Sequence, residues 1–255
     1  PDFRARRVFE LTRNPLLLTA ICLVHRDRGE LPKRRAELYD ECINVLLEHW
    51  RRTKGMTVRF TAKDAREVLK PLAAWMHDQQ GRQRANAGEM APVLDPELRR
   101  MRIDESAPEF LKTIRDQSGL LTGFGAERYG FMHLGFQEYL TAEAIYSRAF
   151  ANPRELRRLA ECFGDPWWRE VILLALSKPE MFVPLLRYIV RLPAFAAEQA
   201  LVSECLDDAA RPDAAPFVEL LGARSWWQRL VGWASRDATL RDRQRNHGDM
   251  GDGDD

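Results

Sequence analysis

The residues best suited to chemistry in this 255-residue chain lie in one run, Tyr129-Gly130-Phe131-Met132-His133-Leu134-Gly135-Phe136-Gln137-Glu138-Tyr139-Leu140-Thr141-Ala142-Glu143. Within it a single histidine, His133, falls where an extended pattern gives way to a helical one. An imidazole at such a junction can be presented to an anion, because a helix start gathers unpaired N–H groups of positive polarity. The plainer alternative is a partly buried histidine hydrogen-bonded to backbone, with Gln137 and Glu138 capping the first turn. Position alone leaves both readings open.

No complete active site accompanies it. The six lysines, at positions 33, 54, 63, 70, 112 and 178, never follow a glycine, so the Gly-Lys-Ser/Thr turn that cradles nucleotide phosphates is absent. GxSxG, HExxH and the dinucleotide fingerprint are missing too, and the five histidines are scattered. Cys22, Cys42, Cys162 and Cys205 form no CxxC pair, which argues against a disulfide framework or a zinc site and for a reducing cytoplasm. Lys+Arg 39 against Asp+Glu 38 leaves a net charge of +1, so no overall field selects a polyanionic partner. With 45% apolar and 30% charged residues the chain reads as globular, and no apolar run reaches the roughly 18 residues of a membrane span.

The elements that must position His133 follow from periodicity. A helix is expected over 14–28, capped by Asn14, with Pro15 in its first turn and an end at Arg28-Gly29. Pro32 then opens a second helix, whose apolar face runs through Leu38, Tyr39, Cys42, Ile43, Val45, Leu46 and Trp50, giving a helical hairpin. Thr61 and Asp64 cap a third helix over 63–80, with Val68, Leu72, Trp75 and Met76 inward. Residues 81–91 read as loop, broken by Pro92 and Pro96, before short helices at 96–101 and 106–117. After Gly119, two short strands flank Gly125-Ala126-Glu127-Arg128, and helices leading into a hairpin suggest a winged helix. A helix over 135–150 carries Phe136, Tyr139, Leu140, Ala144 and Ile145. Paired helices follow at 153–163, 166–177, 179–190, 194–209 and 216–222, each starting at or near a proline. Trp167-Trp168 and Trp226-Trp227 read as core filling there, with a partner-binding patch as the alternative. The stretch 235–255 loses its apolar residues and is expected to be a disordered tail. The chain opens on Pro1, not Met, with a helical pattern already running over 3–11, and so reads as a piece of something longer.

Taken in order, several motifs closely resemble the C-terminal part of bacterial NACHT modules, which are STAND-class signal-transducing ATPases related to animal inflammasome receptors. They are Asn14-Pro15-Leu16-Leu17-Leu18-Thr19, Arg28-Gly29-Glu30-Leu31-Pro32, Arg35-Ala36-Glu37-Leu38-Tyr39 with Trp50, Ser118-Gly119-Leu120-Leu121, and Tyr129 to His133 with Phe136-Gln137-Glu138-Tyr139-Leu140 and Ala142. The resemblance covers roughly residues 1–150 and weakens beyond them, where it is to a second helical or helical-repeat segment. It implies a mainly α chain: a helical hairpin of the NACHT module at 1–56, a winged-helix domain with one small β-hairpin at 57–150, an α-helical bundle or repeat-like region at 151–234, and the tail at 235–255.

The resemblance also implies roles. Pro15 corresponds to a proline packing near the adenine and ribose, and His133 to the winged-helix histidine that contacts the terminal phosphate of ADP. Both would be sensors that hold ADP in the resting state, while a missing N-terminal nucleotide-binding half supplies the phosphate loop, the Mg site and ATP hydrolysis. Release would permit self-association in response to an unidentified ligand or effector, and family analogy adds antiphage defence. Two rivals stand beside this reading. One is a helical protein-interaction scaffold without nucleotide dependence. The other is a DNA-binding winged helix, but its recognition helix at 106–117 sets Glu109 and Asp116 against Lys112 and Arg115, so nucleic acid is not the expected partner.

Overall fold

The computed structural model describes residues 15–32, 34–54, 60–125, 127–198, 200–201 and 204–205. Asn14 and the stretches 3–11, 216–222, 226–227 and 235–255 lie outside the described residues, as do the side chains of Pro15 and Trp50.

Helix α1 (Pro15–Arg28) buries Leu17, Ala20, Ile21 and Val24, the expected face, and stops where the Gly29 N–H donates to the His25 carbonyl at 2.8 Å. Helix α2 (Arg35–Lys54) starts three residues after Pro32 and packs back on α1 with Leu38, Cys42, Ile43 and Leu46 buried. Helix α3 (Ala62–His77) carries the expected capping box: the Asp64 N–H donates to Thr61 Oγ1 at 3.1 Å and the Thr61 N–H to Asp64 Oδ2 at 2.9 Å.

The stretch read as a loop broken by prolines is instead a strand followed by a helix. Strand β1 (Ala85–Asn86) leads directly into α4 (Ala87–Arg100), which runs unbroken through Pro92 and Pro96. Met90, Leu94 and Leu98 recur every four residues on its buried face, whereas both prolines lie on the exposed one. The carbonyls that lose a partner, those of Gly88 and Pro92, therefore belong to exposed residues that water can reach, and burial of the opposite face outweighs the local penalty. Helix α5 (Ala107–Ser118) begins at Ser106, with Glu109 completing a second box.

Strands β2 (Leu121–Gly123) and β3 (Arg128–Phe131) form the expected antiparallel hairpin, pairing Leu121 with Phe131 and Gly123 with Tyr129. The sheet has a third strand the sequence reading lacks: β1 pairs antiparallel with β3 on its other side, giving the order β1-β3-β2. Gly130 makes this possible, since a side chain there would strike the Gln83 carbonyl oxygen.

Helix α6 (Leu134–Ala149) follows and is buried on nearly every side, packing on α2, α3 and β3 and on two later helices, α7 (Arg154–Glu161) and α8 (Arg169–Leu176). Helix α9 (Pro179–Ile189) packs on α7 and α8; within the span 194–209, expected to be helical, a five-residue α10 (Pro193–Ala197) is followed by residues 200–201 and 204–205, also helical, the remainder lying outside the described residues.

Among the polar contacts that tie the later helices to the rest, two are built around buried groups. In α6 the buried Glu143 carboxylate meets Arg66 at 3.2 Å, Lys70 at 3.7 Å and the Lys178 ammonium just ahead of α9. Burial alone would raise the Glu143 pKa, but Lys178, Arg66 and Lys70 together outweigh it and hold the carboxyl below its usual range. In the second contact His77, fully buried at the end of α3, stacks on Trp167 with ring centroids 4.6 Å apart. The His77 Nε2–H donates to the Trp167 carbonyl at 3.1 Å, and the Trp167 indole N–H donates back to the His77 carbonyl at 2.9 Å. Trp168 meets the same imidazole edge-on at 4.7 Å, so this pair does fill the junction.

Glu143→Ala leaves three cations around one vacated carboxylate position and is expected to cost about 3 kcal/mol, read as a lowered denaturant midpoint. His77 gives a pH prediction. Burial depresses its pKa to about 4, against partial pull-back by the Trp167 carbonyl, Asp78 and Asp165. Between pH 6.5 and 4 the unfolded chain therefore binds the extra proton, and stability falls with pH through that window by up to about 3 kcal/mol. His77→Phe keeps the stacking but not the titration, so its denaturant midpoint should fall less steeply than wild type over the same window.

Candidate functional site

His133 is the N-cap of α6. Its backbone is extended, with φ −146° and ψ 140°, and its Nδ1 accepts the Gly135 N–H at 2.9 Å. That bond leaves Nδ1 only the acceptor role, so the ring proton sits on Nε2. Burial lowers the imidazole pKa, which keeps the ring neutral at physiological pH. His133 thus presents one Nε2–H donor beside a helix start, and among the described residues that nitrogen makes no hydrogen bond. The backbone-bonded alternative raised from the sequence is present, and it leaves the outward nitrogen available to an anion.

The expected capping by Gln137 and Glu138 is not what the structure contains. Gln137 is buried and donates its side-chain amide to the Arg82 carbonyl at 3.1 Å, tying α6 to the loop that leads into β1. Glu138 makes no cap bond; burial first, then the Glu170 charge, push its carboxyl up to about 8, with Arg35 pulling the other way. The imidazole takes the capping place, so neither side chain is needed there.

The first turn of α6 is gripped by α2. Tyr39, 3% exposed, sets its ring edge-on to Phe136 at 5.9 Å, and His133 meets the same Phe136 ring at 6.4 Å. Gly135 permits this grip: a Cβ there would overlap the Tyr39 hydroxyl, with Cζ at 2.7 Å and Cε1 at 2.8 Å. One turn back along α2, Arg35 reaches the Glu170 carboxylate of α8 at 2.8 and 3.0 Å. Pro15, the other residue singled out from the sequence, is the first residue of α1. Since α1 and α6 both pack on α2, the two positions are linked through that helix; no direct contact between them is described.

Sequence reasoning passed over Tyr39, Arg66 and Glu143 as site-shaping residues. The box Asn86-x-x-Glu89 was the legible signal for the start of α4: the Glu89 N–H donates to Asn86 Oδ1 at 2.9 Å and the Asn86 N–H to Glu89 Oε2 at 2.8 Å. Tyr39 carried no such signal, because its place in an apolar stripe looks like any core residue.

Helices supporting a three-stranded antiparallel sheet, with a histidine-capped helix leaving the last strand, define a winged-helix arrangement. Residues 35–145 match the family described as the winged helix-turn-helix domain C-terminal to NACHT, which supports a C-terminal part of a NACHT-domain protein. The matched segment takes in Tyr39, His133 and Glu143 and begins after Pro15. No curated protein and no solved structure matches the chain. No described helix is long and apolar enough to cross a membrane.

His133→Ala removes the cap and should lower stability by about 1 kcal/mol, whereas His133→Asn supplies another good cap and should restore most of it. Denaturant midpoints of the two variants check this.

Proposed function

We propose that this chain is the lid and nucleotide-sensing half of an ATP/ADP-dependent NACHT switch. The observation that carries the reading is the His133 cap: a neutral imidazole whose inner nitrogen is spent on the helix and whose outer N–H is left to donate. Such a donor, beside the unpaired N–H groups of a helix start, fits a phosphate oxygen. In this reading His133 holds ADP against a nucleotide-binding half encoded upstream, which supplies the phosphate loop and Mg. Pro15 at the start of α1 packs near the adenine and ribose.

The lid stays closed while that contact persists, and exchange to ATP withdraws it by shifting the population toward an open form competent to self-associate. Arg35–Glu170 and Lys178–Glu143 would make the helices after α6 travel with the lid, so a ligand sensed there could bias the equilibrium. On family resemblance the setting is antiphage defence in the bacterial cytoplasm.

His133→Asn in the full-length protein separates sensing from stability. ADP copurifying with wild type and lost from the variant, at an unchanged unfolding midpoint, is the expected result, read by native mass spectrometry. Equal ADP occupancy in both would overturn the role of His133, and a wild type purified without nucleotide would favour a helical scaffold.

A further inference from the structure

We propose that the loop before β1, together with the β2–β3 hairpin, is a platform for single-stranded nucleic acid, a role separate from nucleotide sensing. Arg82 and Arg84 each lie on an aromatic ring that another element supplies. The Arg82 guanidinium carbon is 4.0 Å from the centre of the Trp75 ring in the last turn of α3, and that of Arg84 is 3.6 Å from the centre of the Phe124 ring just past β2. At such distances the guanidinium plane faces the ring, which occupies one of its faces and leaves its in-plane N–H groups to other partners. Arg82 gives one of these to the Trp75 carbonyl at 3.4 Å, whereas the Arg84 guanidinium makes no hydrogen bond or ion pair with any described residue.

The sheet sets these pieces side by side. Gly130 pairs with Thr122, and the Phe124 N–H donates to the Arg128 carbonyl at 2.8 Å, so Phe124, Arg128 and Gly130 share the face opposite the buried Leu121, Tyr129 and Phe131. A Cβ on Gly130 would come within 3.3 Å of Arg84 Cγ, which places the Arg84 stem over Gly130 and its head on Phe124. Arg128 is exposed on the same face, and its guanidinium has no hydrogen bond or ion pair among the described residues. Gln137 holds the Arg82 carbonyl from α6 and so fixes the loop that carries both stacked arginines.

Charge and shape together select the partner. Of the acids within 82–89 and 121–131, Glu89 is spent on the Asn86 N–H, which leaves Glu127 against the three guanidinium groups. Cations alone would serve an acidic peptide as well. Flat guanidinium and aromatic faces serve unpaired bases, which stack on them whatever their sequence while the phosphates meet the outward N–H groups. A duplex keeps its base faces stacked on one another, so it gains nothing from such a platform. The surface is also distinct from α5, where Glu109 and Asp116 offset Lys112 and Arg115.

Fluorescence anisotropy of a short labelled oligodeoxyadenylate tests this with the full-length protein. Wild type is expected to bind, with the logarithm of its affinity falling against that of salt with a slope of about −2, from three phosphate contacts. Arg84→Ala should weaken binding about tenfold, and Arg84→Lys nearly as much because it keeps the charge and loses the plane, both at an unchanged unfolding midpoint. No binding by wild type at low salt overturns the proposal, as does unchanged affinity in Arg84→Ala. Wild-type affinity in Arg84→Lys, or equal affinity for a duplex or a polyglutamate of matched charge, also overturns it, by showing that charge alone and not the stacked planes makes the contact.

Discussion

Glu143 is the carboxylate around which the chain is arranged. Arg66 and Lys70 reach it from α3 and Lys178 from the entrance to α9, while Arg66 also binds Asp40 of α2 and Lys70 binds Glu67. Three cations and three carboxylates thus share one partly desolvated region, and their charges cancel. Tyr139, one turn before Glu143, donates its hydroxyl to Asp40 at 2.9 Å and accepts from Arg66 at 3.1 Å, which closes the network on its inner side. A group so placed is worth less as a source of net stability than as a fixer of register: α2, α3, α6 and α9 satisfy it together in this arrangement.

The same helix carries the cap at one end and this network near the other. Between them it is nearly all core, with Phe136, Gln137, Tyr139, Leu140, Thr141 and Ala142 buried in sequence. A helix so enclosed cannot rotate about its axis without exposing apolar surface or stranding Gln137, whose bond to the Arg82 carbonyl is fixed in direction. The orientation of the His133 ring is therefore decided by contacts spread along the length of α6 as much as by its immediate neighbours.

Much of this was legible in advance, for reasons that can be stated residue by residue. Thr61 with Asp64, and the 120–124 and 129–133 runs around a glycine-containing turn, announce their structures through local chemistry that tertiary contacts only reinforce. Residues 81–100 were misread because two prolines weigh heavily in any local reading, whereas the deciding fact, that Met90, Leu94 and Leu98 share a buried face opposite them, depends on what α4 packs against. His133 stood out by its position at a change of period. Its capping bond did not, because histidine is not a residue that helix starts favour and nothing in the sequence says which nitrogen faces inward. Glu143 and Tyr39 were invisible as site residues, since their partners lie tens of residues away in the chain and come together only when α6 is in place.

The third strand has a consequence for how this molecule meets others. Among the described residues, covering β3 on both sides leaves β1, two residues long, and β2, three residues long, as the borders of the sheet. Borders that short offer too few free backbone groups to template pairing with a further strand. Contacts that another chain makes at this sheet are then left to side chains, where charge and shape discriminate between partners in a way that main-chain addition, common to every sequence, does not.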